Sequence, residues 1–185
     1  MAPSSDHSPP QPPIPYGPWF TTIYGPAGSG KTTLAMLEAI TQGHAGKKTV
    51  FIDSEGTFSI DRYIQLAGNH HEHALDWLLL CTVKTFDEQY HKIASLLPLI
   101  TKIGLVVIDT IGTLYRRELQ RGDYTTNQLL EKQIRLLSEL SKHAPIILTN
   151  QVSTNPQTGR TAMVASTLIT PWCHTLIELK KAPRM

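Results

Sequence analysis

Along this chain, short apolar runs of strand length alternate with segments whose apolar residues recur every three or four positions, the periods of buried strand and amphipathic helix. The runs cover residues 19–24, 49–53, 77–83, 105–109, 145–150 and 175–179. Helical spacing covers 34–40, 59–66, 86–97, where Pro98 stops it, and 125–142, where Leu130, Ile134 and Leu137 interleave with Leu129, Leu136 and Leu140. Thr125 and Gln128 predict a capping box at the start of that last helix, and Glu131 with Arg135 an i,i+4 pair on its outer side. Strands and helices take turns, so the expected fold is α/β, a mostly parallel twisted sheet with helices on both faces.

The segments between are expected to be irregular. Residues 42–48 read as a Gly- and Lys-containing turn, and 69–73, N-H-H-E-H, as a solvated loop whose spacing matches no closed zinc site. Residues 115–126 place Arg116, Arg117 and Arg121 beside Gly122 and Tyr124, and 152–166 form a polar, mobile loop containing Asn155-Pro156, Gly159 and Arg160. Trp77 is expected in the core. Residues 1–18 carry most of the prolines and predict a disordered leader.

Composition adds limits. At 185 residues and 41% hydrophobic, the chain can bury one substantial core, and a net charge of +2 is neutral on nucleic-acid partners. Cys81 and Cys173 are far apart and predict free thiols in a reducing compartment. No basic start followed by an apolar run opens the chain, and no apolar stretch approaches membrane-spanning length, so a cytoplasmic protein is expected.

The chemistry starts at Gly25-Pro26-Ala27-Gly28-Ser29-Gly30-Lys31-Thr32-Thr33, which fits the phosphate loop G-x-x-x-x-G-K-S/T without a gap. Glycines there let backbone N–H groups turn inward around an anion, in front of the positive end of the next helix. Lys31 supplies a mobile charge for β- and γ-phosphates, and Thr32 a hydroxyl for Mg²⁺. The dinucleotide pattern G-x-G-x-x-G is not matched. The run Leu105-Val106-Val107-Ile108-Asp109 predicts a buried central strand delivering a carboxylate to its C-terminal edge, where Asp109 can hold the hydration shell of Mg²⁺ opposite Thr32. Asp53-Ser54-Glu55-Gly56 ends the preceding strand at the same edge, facing the loop.

Four motifs, G-P-A-G-S-G-K-T-T, F-I-D-S-E-G-T-F-S-I-D-R-Y, L-V-V-I-D-T-I-G-T-L-Y-R-R-E-L and I-I-L-T-N-Q-V-S-T-N-P-Q-T-G, carry a resemblance. Over residues 19–181 the chain resembles the RecA/RadA recombinase superfamily, and most closely the archaeal RadB paralogues. The resemblance implies a RecA-type P-loop ATPase core at 19–185 behind the leader, with C-terminal strands cut short at Met185. It implies ATP and Mg²⁺ as ligands, Glu55 as the base that orients the attacking water, and Gln151 as sensor of the γ-phosphate. Arg62 is placed by it against the adenine, with Gln65 nearby. Arg116, Arg117 and Arg121 fall in the counterpart of the first DNA loop, and Arg160 in the second. The implied function is an ATP-binding, weakly hydrolysing DNA-binding protein of recombination and repair, with single-stranded DNA and a RadA-type recombinase as partners. The alternative is a nucleotide-binding regulator working through protein contacts without turnover.

Overall fold

The computed structural model describes residues 20–122, 125–154 and 161–181. The chain runs β1 (Phe20–Gly25), α1 (Lys31–His44), β2 (Thr49–Asp53), α2 (Ile60–Ala67), α3 (His71–Asp76), β3 (Leu78–Thr82), α4 (Phe86–Ala94) and β4 (Leu105–Asp109). It continues through α5 (Ile111–Gln120), α6 (Thr126–Leu140), β5 (Ile146–Thr154), β6 (Thr161–Met163), α7 (Ser166–Ile169) and β7 (Thr175–Glu178). Six strands lie in the order β3-β2-β4-β5-β1-β7, all parallel, and β6 returns antiparallel along the far end of β5.

Alternation along the strands divides the core in two. Val50, Ile52, Val106, Ile108, Ile146 and Leu148 point to the face covered by α4, α5, α6 and α7, where they meet Phe86, Ile93, Leu114 and Ile134. Phe51, Leu105, Val107 and Ile147 point to the other face, against Ala35, Met36 and Ala39 of α1 and Tyr63 of α2. The strands are buried on both faces, so their sequences read as continuous apolar runs. Register pairs Asp53 with Asp109 and Gly25 with Gln151, which brings the ends of four strands to one edge.

Several sequence expectations are corrected. Residues 69–73 are not a loop but a 3₁₀ turn running into α3, because Ala74 docks where a Cβ on Gly43 of α1 would come within 2.9 Å of it. Residues 111–120 form α5, whose buried Ile111, Leu114 and Tyr115 have i, i+3, i+4 spacing. Residues 152–154 and 161–163 are strand, pairing Val152 with Met163 and Thr154 with Thr161; Asn155, Pro156, Gly159 and Arg160 lie outside the described residues, as do the leader, Trp19 and Tyr124. Pro98 does not close α4 but opens a following 3₁₀ turn, where its missing N–H costs nothing. Thr125 forms no side-chain cap, its backbone being helical rather than extended. Arg135 lies over the Trp172 ring at 5.9 Å, and among the described ion pairs none joins it to Glu131. Trp77 is only partly buried, at the C-terminal cap of α3. Among the described residues, no helix is long and apolar enough to cross a membrane.

Candidate nucleotide-binding site

The loop between β1 and α1 is shaped by glycines. Gly28 (φ 72°) and Gly30 (φ 93°) are left-handed, and Gly30 is the N-terminal cap of α1. At Gly25 the constraint is space, because a Cβ would sit 2.3 Å from the Leu179 carbonyl oxygen. Lys31 is 7% exposed and its Nζ donates to the carbonyls of Gly25 (3.0 Å) and Pro26 (2.9 Å), which folds the ammonium back over the loop. Burial lowers its pKa, while the Asp109 and Glu55 carboxylates oppose that shift. Ser29 Oγ is buried with no hydrogen-bond partner among the described residues.

Asp109 lies at the centre of the sheet edge and is 1% exposed. Thr32 Oγ1 donates to its Oδ2 at 2.8 Å, and Thr149 Oγ1 donates to its Oδ1. Burial raises the carboxyl pKa; the two hydroxyls pull it down, and the nearby Glu55 and Asp53 charges add to the rise. A hydroxyl and a carboxylate in contact at the mouth of a phosphate loop form a hard oxygen donor set, which fits Mg²⁺.

Asp53 has a different task from its neighbour. Its Oδ1 accepts the backbone N–H groups of Glu55 (3.1 Å), Gly56 (2.8 Å) and Thr57 (3.3 Å), and its Oδ2 that of Phe58 (2.9 Å). It therefore builds the turn that presents Glu55 rather than facing the loop itself. Glu55 Oε1 accepts from Thr113 Oγ1 (2.6 Å), Gln151 Nε2 (2.7 Å) and Thr110 Oγ1 (3.1 Å). Gln151 Oε1 in turn accepts from Arg116 Nη1 at 3.3 Å. A chain of hydrogen bonds thus runs from α5 through β5 to the acid.

A cavity of about 300 Å³ is lined by Gly28, Lys31, Thr32, Glu55, Thr110 and Gln151 among others. Beside it a second hollow of about 400 Å³ lies between Glu55, Gln151, Arg116 and Arg117. The structure therefore brings together Lys31, Thr32, Glu55, Asp109 and Gln151. Arg62 and Gln65 bond each other at 2.5 Å on the exposed side of α2 and are not among the residues lining the cavity. The three arginines sit on α5 or at its C-terminal cap, not in a loop. Arg121 is held by Glu118 at 3.0 Å, and Arg117 Nη1 reaches the Lys84 carbonyl at 3.5 Å. Tyr115, next to them in sequence, is 6% exposed and donates to Asn127 Oδ1 at 2.8 Å, so its ring is committed to the core. The hydroxyls of Thr110, Thr113 and Thr149 are not singled out by sequence alone; the threonines in D-T-I-G-T, just after Asp109, are the available signal.

Similarity to known proteins covers the whole of this arrangement. The Rad51 family model matches residues 18–178. The chain belongs to the Rad51 family. Within it, the chain is similar to the DNA repair and recombination protein RadB of Methanococcus maripaludis strain C7, 36% identical over 173 residues that cover 88% of this chain and 77% of that one. It is also similar to the RadB of Thermococcus gammatolerans, 38% identical over 170 residues, covering 89% and 75%. The crystal structure of the RadB recombinase superposes with a TM-score of 0.74 at 33% identity, over 90% of this chain and 76% of that one. This Rad51-family chain therefore has the RecA-like fold of its RadB neighbour, and the phosphate loop, Asp109 and Glu55 all lie within the matched span.

Proposed function

We propose that this RadB-like chain binds ATP with Mg²⁺ at the edge formed by β1, β4, β2 and β5, hydrolyses it weakly, and binds single-stranded DNA in the service of recombination and repair. The observation that carries the reading is the convergence of Lys31, Thr32, Glu55 and Gln151 on one cavity, with Asp109 bonded to Thr32 at its wall. Lys31 exchanges two backbone carbonyls for phosphate oxygens, and the buried Ser29 hydroxyl gains a partner when an anion fills the loop. Thr32 and Asp109 are the residues that would hold Mg²⁺, which supplies charge neutralisation between the phosphates. Glu55 orients water, Gln151 reads the γ-phosphate, and Arg62 with Gln65 approaches the base from α2. Arg116 and Arg117 meet DNA phosphates, and Arg121 and Arg160 are included in the reading as further DNA contacts. The reading includes a core at 19–185 behind a proline-rich leader, a RadA-type recombinase as protein partner, and a cytoplasmic setting.

One observation favours a second reading, in which ATP is bound as a regulatory ligand with negligible turnover. Three donors converge on Glu55 Oε1, so the oxygen that would align a water is already engaged by the protein. ATPase measured with and without single-stranded DNA separates the two. Stimulation by DNA, with ATP binding abolished in a folded Lys31→Ala variant, supports the first. Turnover that stays at background in both conditions, with ATP still bound, supports the second.

A further inference from the structure

A further hollow lies at the opposite pole from the nucleotide cavity. It has a volume of about 540 Å³ and is bounded by the residues that lead into four adjacent strands: Lys47 and Lys48 before β2, Trp77 before β3, Gly104 before β4 and Pro145 before β5. Strands β2, β3 and β4 are five residues each, so roughly 16 Å of sheet separates this groove from the acids. Lys102 adds a third lysine to its wall beside His143, and neither Asp nor Glu lines it. On a chain with net charge +2 this is a local concentration of one sign.

The groove is built by close packing. A Cβ on Gly104 would fall 2.5 Å from Lys47 Cβ, so glycine lets the β2 approach lie directly on the β4 approach, and Gly46 lies against the Trp77 ring, to which a Cβ would make contact at 3.7 Å. Gln42, only 8% exposed, lines the groove as well.

We propose that this groove is a second contact for single-stranded nucleic acid, with Lys47, Lys48 and Lys102 on backbone phosphates and Trp77 against a base. Its chemistry favours phosphate over an acidic peptide. The cations are lysines, point charges that pair with phosphate oxygens, and the ring beside them decides between the two. The aromatic ring among them supplies what a base needs and an acidic side chain does not. A strand held here meets a surface separate from α5.

The test uses the full chain and a fluorescent oligothymidylate titrated at several salt concentrations. Lys47→Ala/Lys102→Ala should lower the slope of log K against log salt by about 0.7 for each phosphate that the variant no longer neutralises. The same drop should appear in an Arg116→Ala/Arg117→Ala background, so the two surfaces are read independently. Trp77→Leu should weaken binding by about 5- to 150-fold, the range for one stacked base. Failure of the wild-type chain to bind the oligonucleotide overturns the proposal, as does an unchanged slope in the folded lysine variant. Displacement of the oligonucleotide by polyglutamate but not by unlabelled oligothymidylate overturns it in favour of an acidic protein partner.

Discussion

Two carboxylates at the same edge are given opposite work by their immediate neighbours. Asp109 is buried and touched by two hydroxyls, whereas Glu55 is half-exposed at the end of a turn that Asp53 ties down with four backbone bonds. If Glu55 orients water, Glu55→Gln should keep ATP bound and lose about 10² to 10⁴-fold in hydrolysis, checked by single-turnover assay beside a binding titration. Asp109 carries a folding cost, because burial raises its pKa above the unfolded value. A carboxyl of that kind contributes stability below its unfolded pKa and loses it as pH rises through the folded pKa. Asp109→Asn should therefore melt higher than the wild type at neutral pH, with the gain vanishing as pH falls below that range, while Mg²⁺-dependent nucleotide binding weakens. Melting temperature against pH checks the first half; equal melting at pH 7 would show that the two threonine hydroxyls already offset the burial.

Helix α5 links the acids to a charged surface. It begins two residues after Asp109, and its first turn passes so close to β5 that a Cβ on Gly112 would lie 2.4 Å from Asn150 Oδ1. Asn150 is itself engaged, accepting from the Gln151 N–H and donating to the Val164 carbonyl, so helix, strand and returning β6 segment are fixed together. The inner side of α5 is apolar, and Arg116, Arg117 and Gln120 line the hollow next to Glu55. Charge on a rigid helix meets phosphates at lower entropic cost than charge on a loop. Arg116→Ala/Arg117→Ala should flatten the salt dependence of single-strand binding by about 0.7 per phosphate, whereas Arg121→Ala, already paired with Glu118, should change it little. A slope that falls only with Arg121 would move the DNA surface off the middle of the helix.

Across the molecule, the nucleotide cavity and the arginine hollow share Glu55 and Gln151. Gln151 donates to Glu55 and accepts from Arg116, so a change in either ligand acts on one side chain with two partners. If ATP tightens DNA binding, DNA tightens ATP binding by the same factor. Gln151→Ala removes the shared group, and the coupling factor should fall towards one when each affinity is measured with and without the other ligand. A factor kept at the wild-type value would place the coupling in the backbone of β5 and β6 instead.

The order of strands and helices was legible without a structure, because a parallel sheet buried on both faces demands uninterrupted apolar runs, and Thr49–Asp53 and Leu105–Asp109 have them to the residue. That the phosphate loop, Asp109 and the Asp53–Glu55 turn would share one edge was legible for a related reason, since parallel strands bring their C-terminal ends together there; the part given to Glu55 came from the family resemblance. Two polar stretches read as irregular are helical instead, 69–73 leading into α3 and 115–120 in α5. In α3 a single buried alanine decides for helix, and in α5 three apolar residues do so against a run of arginines, since burial against a neighbouring element outweighs local propensity. Only the tertiary structure could decide what each polar group touches. Asp53 became a turn anchor, Tyr115 a core residue and Gln151 a bridge because their partners are set by the folded chain, 96 residues away for the Gln151 bond to Glu55. The basic groove behind the sheet has the same origin: four strand approaches, each unremarkable alone, gather three lysines, a histidine and a tryptophan only once the strands are in register.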